Sequence, residues 1–351
     1  TMNTLASEFD LTVSDGSTTN KNVTVSWTAN DIESVVYSLN GGESVTLENG
    51  GILSAEGVYI VTATNDLGTQ RVKTFTIDKT VDYSVEVGAQ PARNVEVTNE
   101  NIAVFNGETL SVSVMKNGEP YAYAFGDVLS EEGFYTFRLS DDFSNSATFS
   151  VTIDKSVSYS ANIGNGLIAS ENVQLVNGEK LTVTVTKDNQ VIDYEFGQPL
   201  EDEGAYKVLM KDAYGNEKTL EFRIVKGVKT ALDYMLGASV SVLKIERDGE
   251  EILFEGNRLN FTESGVYTIT AEAEGKTYSF VLELDSTAPT LELIGVKDGG
   301  VSGKAVTLDN LSEQATVEVF KDGELIEYEL GSELKEYGEY RVVVTDEAGN
   351  Q

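Results

Sequence analysis

Apolar and polar residues alternate with a period of two along most of the chain. Val23, Val25 and Trp27 share one face of a strand, as do Val95 and Val97, and Leu181, Val183 and Val185. Between such runs lie Asn40-Gly41, Asn117-Gly118, Asp188-Asn189, Asp248-Gly249 and Asp322-Gly323. Asn-Gly and Asp-Gly fit the positive φ angles of a tight hairpin turn. Lys116, Lys187, Arg247 or Lys321 immediately precedes four of these five turns. The pattern predicts an all-β chain of short strands.

A second pattern is superposed on the first. Glu203-Gly204-Ala205-Tyr206 leads into a strand and then Asp212-Ala213-Tyr214-Gly215-Asn216. Forms of it recur around Gly57, Gly133, Gly265 and Gly338, and the successive glycines are 76, 71, 61 and 73 residues apart. Five units follow: 1–78, 79–154, 155–226, 227–285 and 286–351. In the third, the spacing predicts strands over 158–163, 172–176, 180–187, 191–196, 205–211 and 218–225, with a bend at Gly197-Gln198-Pro199-Leu200. Short strands at this spacing form a β-sandwich. The linkers are short, so successive units are expected to abut end to end. Strands of about 8 residues span roughly 26 Å, and five stacked units would make a rod on the order of 150 Å. The fourth unit is short where its second strand belongs, and residues 230–236 read as a helical turn. The fifth stops where its last strand should begin.

Composition narrows the chemistry. Units of this size bury only about 60% of their unfolded surface. Each is expected to be stable by about 4–10 kcal/mol. The 351 residues contain no Cys and no His, which removes disulfides, Ser-His-Asp and Cys-His catalysis and the usual zinc sites. The net charge of −33 disfavours nucleic acid and anionic membranes and favours a soluble, self-repelling molecule. No apolar run is long enough for membrane insertion. Thr1-Met2-Asn3-Thr4 lacks signal-peptide character, and the chain reads as a segment of a longer protein.

The Glu-x-Gly-x-Tyr corner is similar to the corner of immunoglobulin domains that carries a structural tyrosine. Antibody domains place a cysteine two residues later; here Val61, Phe137, Val208, Ile269 and Val342 stand there. Together with Asp212–Asn216, Asp346–Asn350 and the Asp285–Pro289 linker, the corner resembles tandem bacterial Ig-like repeats of Gram-positive cell-surface proteins. The resemblance implies Tyr59, Tyr135, Tyr206, Tyr267 and Tyr340 as structural corner residues. It also implies an extracellular or cell-surface setting.

Asp78, Asp154 and Asp285 lie at linkers, and Asp141, Asp142, Asp212 and Asp346 lie in the turn after the tyrosine strand. If turn and linker meet, these carboxylates supply part of the six to eight oxygens that calcium takes. The alternative is that Asp and Asn only shape the turn. Tyr121, Tyr123, Phe125, Tyr194, Phe196 and Tyr328 form a repeated aromatic row, read either as core or, chiefly at Tyr121, as a sugar-stacking surface. No unit holds a distinctive acidic pair, so no catalytic residues are expected. The sequence therefore reads as five small Ig-like β-sandwich domains in tandem, the last incomplete. Its expected role is a non-catalytic stalk of a bacterial surface protein. The alternatives are an adhesin binding a protein or glycan through a face or end loop, and an accessory module of a secreted enzyme.

Overall fold

The computed structural model describes residues 6–351, so the stretch 1–4 read above for a signal peptide lies outside the described residues. The described chain is all-β, without a helix. It divides into two compact units, Thr1–Lys155 and Ser156–Gln351. The first holds two Ig-like sandwiches and the second holds three.

The second sandwich shows the plan. One sheet contains Tyr83–Val87, Ile102–Asn106 and Val128–Leu129. The other runs Val97–Thr98, Ser146–Ile153, Gly133–Ser140, Ser111–Lys116, Glu119–Tyr121. All pairs in the larger sheet are antiparallel except Val97–Thr98, which runs parallel to the end of Ser146–Ile153. Tyr135, Phe137 and Leu139 alternate inward along one strand and are fully buried. Tyr83, Phe149 and Phe137 stack in series with centroids 5.3 and 4.8 Å apart. This core needs no disulfide, because stacked rings fill the space between the sheets.

The third sandwich repeats this order, with Pro199–Leu200, read above as part of a bend, forming a short strand against Val173–Asn177. In the fifth, Tyr340–Asp346 pairs with Ala315–Lys321 on one side, and among the described residues nothing pairs with its other edge. The larger sheet has three strands here rather than five. Val342 and Val344 are half-buried, whereas Val208 and Met210 at the corresponding positions of the third sandwich are fully buried.

The fourth sandwich corrects two expectations. The stretch 230–236 is not helical: Leu232–Met235 is a strand, paired in full register with Arg258–Phe261. Leu232 and Tyr234 alternate with exposed Asp233 and Met235, and the partner strand settles what a short apolar run leaves ambiguous. The missing strand is the first one. Val228–Lys229 instead pairs directly, in parallel, with Glu283 and Leu284 at the end of the last strand.

Because the first strand is absent, the linker delivers the chain to the lower end of the fourth sandwich, which lies beside the third rather than beyond it. At the lower end Lys229 Nζ is 2.9 Å from Glu203 and the Arg223 guanidinium sits 5.8 Å from the Tyr234 ring centre. At the upper end Lys218 is paired with Glu274. Between them the Gly237 amide donates to the Gly166 carbonyl at 2.9 Å. A Cβ on Gly237 would come within 2.7 Å of the Gly166 Cα, so both positions need glycine. Ile163, Leu167, Leu236 and Val240 join one continuous buried cluster that serves both sandwiches. The end-to-end expectation therefore fails between the third and fourth units.

Candidate functional site

The recurring corner has a local physical cause. The first hairpin-turn residue is left-handed in every sandwich: φ is 53° at Asn40, 52° at Asn117, 50° at Asp188, 51° at Asp248 and 50° at Asp322. Asn and Asp tolerate this region best among non-glycine residues. The side chain then accepts the amide that follows the corner glycine, at 2.8–2.9 Å: Val58, Phe134, Ala205, Val266 and Glu339. Gly133, Gly204 and Gly265 hold φ of 154°, 150° and 150°, and a Cβ there would strike Lys116, Lys187 or Arg247. Those cations pair with Glu131, Asp202 and Glu263 in the same corner.

The five corner tyrosines each donate their hydroxyl to the carbonyl four residues earlier: Tyr59 to Ala55, Tyr135 to Glu131, Tyr206 to Asp202, Tyr267 to Glu263 and Tyr340 to Glu336. The distances run from 2.8 to 3.1 Å. The first four rings are buried; Tyr340 is half-exposed beside the open edge. Tyr135→Phe should destabilise the second sandwich by about 1–3 kcal/mol, because it removes a part-buried hydrogen bond and leaves the Glu131 carbonyl without its donor. Tyr340→Phe should cost less, since water can reach its acceptor. Paired urea melts of the two variants check the order, and equal losses would count against it.

Within each compact unit, linker and turn residues come together. In the first unit, the Asp141 carboxylate accepts the amides of Phe143 and Asn145 at 2.9 and 2.7 Å, and its other oxygen accepts the Asn145 side chain at 2.6 Å. Buried Asn145 in turn donates to the Asp78 carbonyl at 2.9 Å. In the second unit, Asp346 accepts the Asn350 amide and side chain, both at 2.8 Å, and Asn350 donates to the Asp285 carbonyl at 2.7 Å. The turn of one sandwich thus clasps the linker that leads into it.

A glutamate joins each clasp. Asp78, Glu108 and Asp141 place carboxylate oxygens within 4.8 Å of one another, as do Asp285, Glu313 and Asp346. The two glutamates escaped the sequence reading. The repeated Asn106-Gly107-Glu108 and Asn177-Gly178-Glu179 was the available signal for the first, while Glu313 follows Ser312 and carries none. Glu108 accepts the Asp82 amide at 2.7 Å, and a Cβ on Gly107 would meet Asp82 at 2.7 Å. Asp142 lies exposed on the outside of its turn and is not in the trio. Asp212 makes the same turn with Tyr214 and Asn216 inside the second unit, while Asp154 belongs to the first.

Titration differs across these groups. Burial pushes the Asp78 carboxyl up and the Glu108 charge adds to it. Burial and the charges of Asp285 and Asp346 push Glu313 up. Burial also opposes ionisation of Asp212 and Asp346, but hydrogen bonds from Asn216 and Asn350 and from the turn amides outweigh it and hold both below the ordinary range. A depressed carboxyl contributes stability above its unfolded value, about 3.9, that disappears as pH falls through the folded value. Asp78 and Glu313 have the opposite sign: their contribution is present at low pH and lost as pH rises through their folded values. Asp346→Asn should therefore flatten the acid limb of the fifth sandwich's melting profile below about pH 4. An unchanged acid limb would remove Asp346 as its cause.

The aromatic row faces the core. The Tyr123 hydroxyl accepts the Val104 amide at 2.8 Å, Tyr194 accepts the Leu175 amide at 3.2 Å and Tyr328 accepts the Leu308 amide at 3.0 Å. Tyr121 meets Tyr135 edge-on at 5.6 Å and is half-buried.

No protein-family model matches the chain, and a search of curated proteins finds no match either. Solved structures with tandem Ig domains do match. The N-terminal eight Ig domains of Down Syndrome Cell Adhesion Molecule align with 88% of this chain at 13% identity and a TM-score of 0.23. The chain spans 52% of that structure. Sidekick-1 immunoglobulin domains 1–5 align with 91% of it at 9% identity and 0.24, covering 88% of that chain. Drosophila OTK extracellular domains 3–5 align with 64% at 14% identity and 0.26, covering 99% of that chain.

Proposed function

We propose that the chain is a non-catalytic extracellular spacer segment of a bacterial surface protein, holding an adhesive or catalytic domain away from the cell. The observation that carries this reading is the clasp. Asn145 and Asn350 tie a turn of their own sandwich to the carbonyl of the preceding linker, which restricts rotation at the junction. A spacer gains reach from such restriction, and the net charge of −33 opposes collapse of one sandwich onto another. The test is small-angle scattering of the parent and of an Asn145→Ala, Asn350→Ala double variant. The variant should show a broader distribution of intramolecular distances, and identical profiles would remove the clasp as the support for a spacer.

The same junctions support a calcium-stiffened form of the spacer. Three carboxylates converge at each of two like-built junctions, and burial and neighbouring charge oppose ionisation of Asp78 and Glu313. Each trio supplies three of the six to eight oxygens that calcium takes, leaving the rest to water or carbonyls. Millimolar calcium is expected to raise the melting temperature of the parent and not that of a Glu108→Gln, Glu313→Gln variant. A parent whose melting is indifferent to calcium and chelator would end this reading.

A further inference from the structure

The chain contains six Asn-Gly pairs, at 40–41, 49–50, 106–107, 117–118, 165–166 and 177–178. In such a pair the asparagine side-chain amide is open to attack by the glycine backbone nitrogen, since glycine brings no Cβ to hinder the approach. The attack needs that nitrogen unengaged and the asparagine side chain able to turn toward it. At four pairs neither condition holds. The amides of Gly50, Gly107, Gly166 and Gly178 donate to the carbonyls of Val25, Asp82, Glu221 and Ser158 at 2.6–2.9 Å. The asparagines are held as well. Asn49 bridges the Trp27 amide and carbonyl, Asn106 and Asn177 donate to the carbonyls two residues on, and Asn165 accepts the Glu221 amide.

The two hairpin pairs differ. Among the described residues no hydrogen bond engages the Gly41 or Gly118 amide, or Nδ2 of Asn40 or Asn117. Each side chain is held only through Oδ1, by the Val58 or Phe134 amide. Both pairs are exposed. Asn40 and Gly41 have φ of 53° and 71°, and Asn117 and Gly118 have 52° and 87°. Two positive values mark one of the two tight hairpin turns. The other keeps φ positive at the first residue and turns the central peptide over, with ψ there near about −120°. Asn40 and Asn117 already hold the φ common to both turns, and glycine accepts the changed φ at the second position. In the turned-over form the glycine nitrogen eclipses the asparagine Cβ and lies beside Cγ. No hydrogen bond to the glycine amide has to break to reach it.

We propose that Asn40 and Asn117 are self-modification sites, at which the chain deamidates with water as the only co-reactant. The glycine nitrogen bonds to Cγ, the Cγ–Nδ2 bond breaks, and ammonia leaves with the proton that the glycine nitrogen gave up. Water then opens the five-membered succinimide at either carbonyl. Opening at Cγ gives aspartate in a normal backbone. Opening at the main-chain carbonyl gives isoaspartate, whose backbone runs through Cβ and Cγ.

The two products have opposite consequences. Aspartate keeps the corner, because Asp188, Asp248 and Asp322 accept the corner amide at 2.9 Å in the other three sandwiches. It only adds to the net charge of −33. Isoaspartate lengthens the hairpin by one backbone carbon and displaces the carboxylate, so the two-residue turn and the corner bond are not kept together. The first and second sandwiches therefore loosen with age at a corner where the other three carry no amide to lose. This modification is independent of the spacer reading, which the clasp variant tests separately.

Incubation of the full chain at neutral pH tests it, followed by peptide mapping that separates asparaginyl, aspartyl and isoaspartyl forms. Asn40 and Asn117 should convert at least about tenfold faster than the four bonded pairs, the factor that a barrier difference of about 1.4 kcal/mol gives. In urea, where the hydrogen bonds are gone, all six should convert at one common rate. Asn117→Asp should keep the parent melting temperature, whereas aged chain carrying isoaspartate at position 117 should melt lower. The proposal is overturned if Asn40 and Asn117 convert no faster than the other four in the folded chain, or keep their lead in urea. Isoaspartyl chain that melts with the parent overturns it as well.

Discussion

Replacing Gly237 with alanine should split one melting event into two. The third and fourth sandwiches share a buried cluster, and Gly166 and Gly237 approach so closely that a single Cβ would lie 2.7 Å from a backbone carbon. That neighbour is main chain and cannot swing aside, so the seam must open. Ile163, Leu167, Leu236 and Val240 then lose part of their cover. Full burial of such side chains contributes about 1.5–3 kcal/mol each, so the coupling at stake is on the order of several kcal/mol. Calorimetry of the full chain should show the parent pair melting as one cooperative unit and the variant pair melting separately. Two separate transitions already present in the parent would refute the shared core as an energetic unit.

The second large effect concerns the open edge of Tyr340–Asp346. Appending a segment patterned on Glu217–Ile224 after Gln351 should complete the larger sheet of the fifth sandwich. In the third sandwich that strand buries Leu220 beside Val208, Phe222 beside Tyr206 and Ile224 beside Gly204. Three such side chains contribute about 1.5–3 kcal/mol each. Ordering the added backbone costs about 1–2 kcal/mol per residue, partly offset by ladder hydrogen bonds at about 0.5–1.5 kcal/mol net apiece. A net gain of even about 2 kcal/mol raises the midpoint of a domain this size by roughly 10 °C. A control with the same residues shifted by one position turns its apolar set to solvent and should give no gain. Equal behaviour of the two appended segments would show that the edge does not accept a strand in register.

The features legible in the sequence are those set by neighbours along the chain. Asn117 and Asp188 announce their hairpins because positive φ is a property of the residue itself. Tyr135 and Tyr206 announce a corner because donor and acceptor lie four residues apart. The linker and turn aspartates could be named, and the structure brings Asp78 to Asp141 and Asp285 to Asp346. Glu108 and Glu313 were not named, since they reach the same point from another strand's end. Leu232–Met235 was misread because Leu232, Tyr234 and Met235 among four residues fit a turn of helix as well as a strand; Arg258–Phe261 decides between them. The side-by-side packing of the third and fourth sandwiches was hidden for a similar reason. A shortened unit was visible, but where its linker enters depends on Val228–Lys229 finding Glu283 and Leu284.

That two-residue parallel pair also decides how the fourth sandwich meets tension. The chain enters at Val228 and leaves just after Leu284, and Lys229 stands opposite Leu284. Force transmitted along the backbone therefore arrives and departs at neighbouring points, and most of the fourth sandwich hangs outside the line of pull. In the second sandwich, by contrast, the chain enters through Tyr83–Val87, traverses the body and leaves after Ile153, so its full length is stretched. Under load the fourth sandwich would yield by opening a short pair and its seam with the third before its own core feels the strain. Under a pull it would act as a mechanical bypass, unlike the second sandwich, which would be stretched across its whole height.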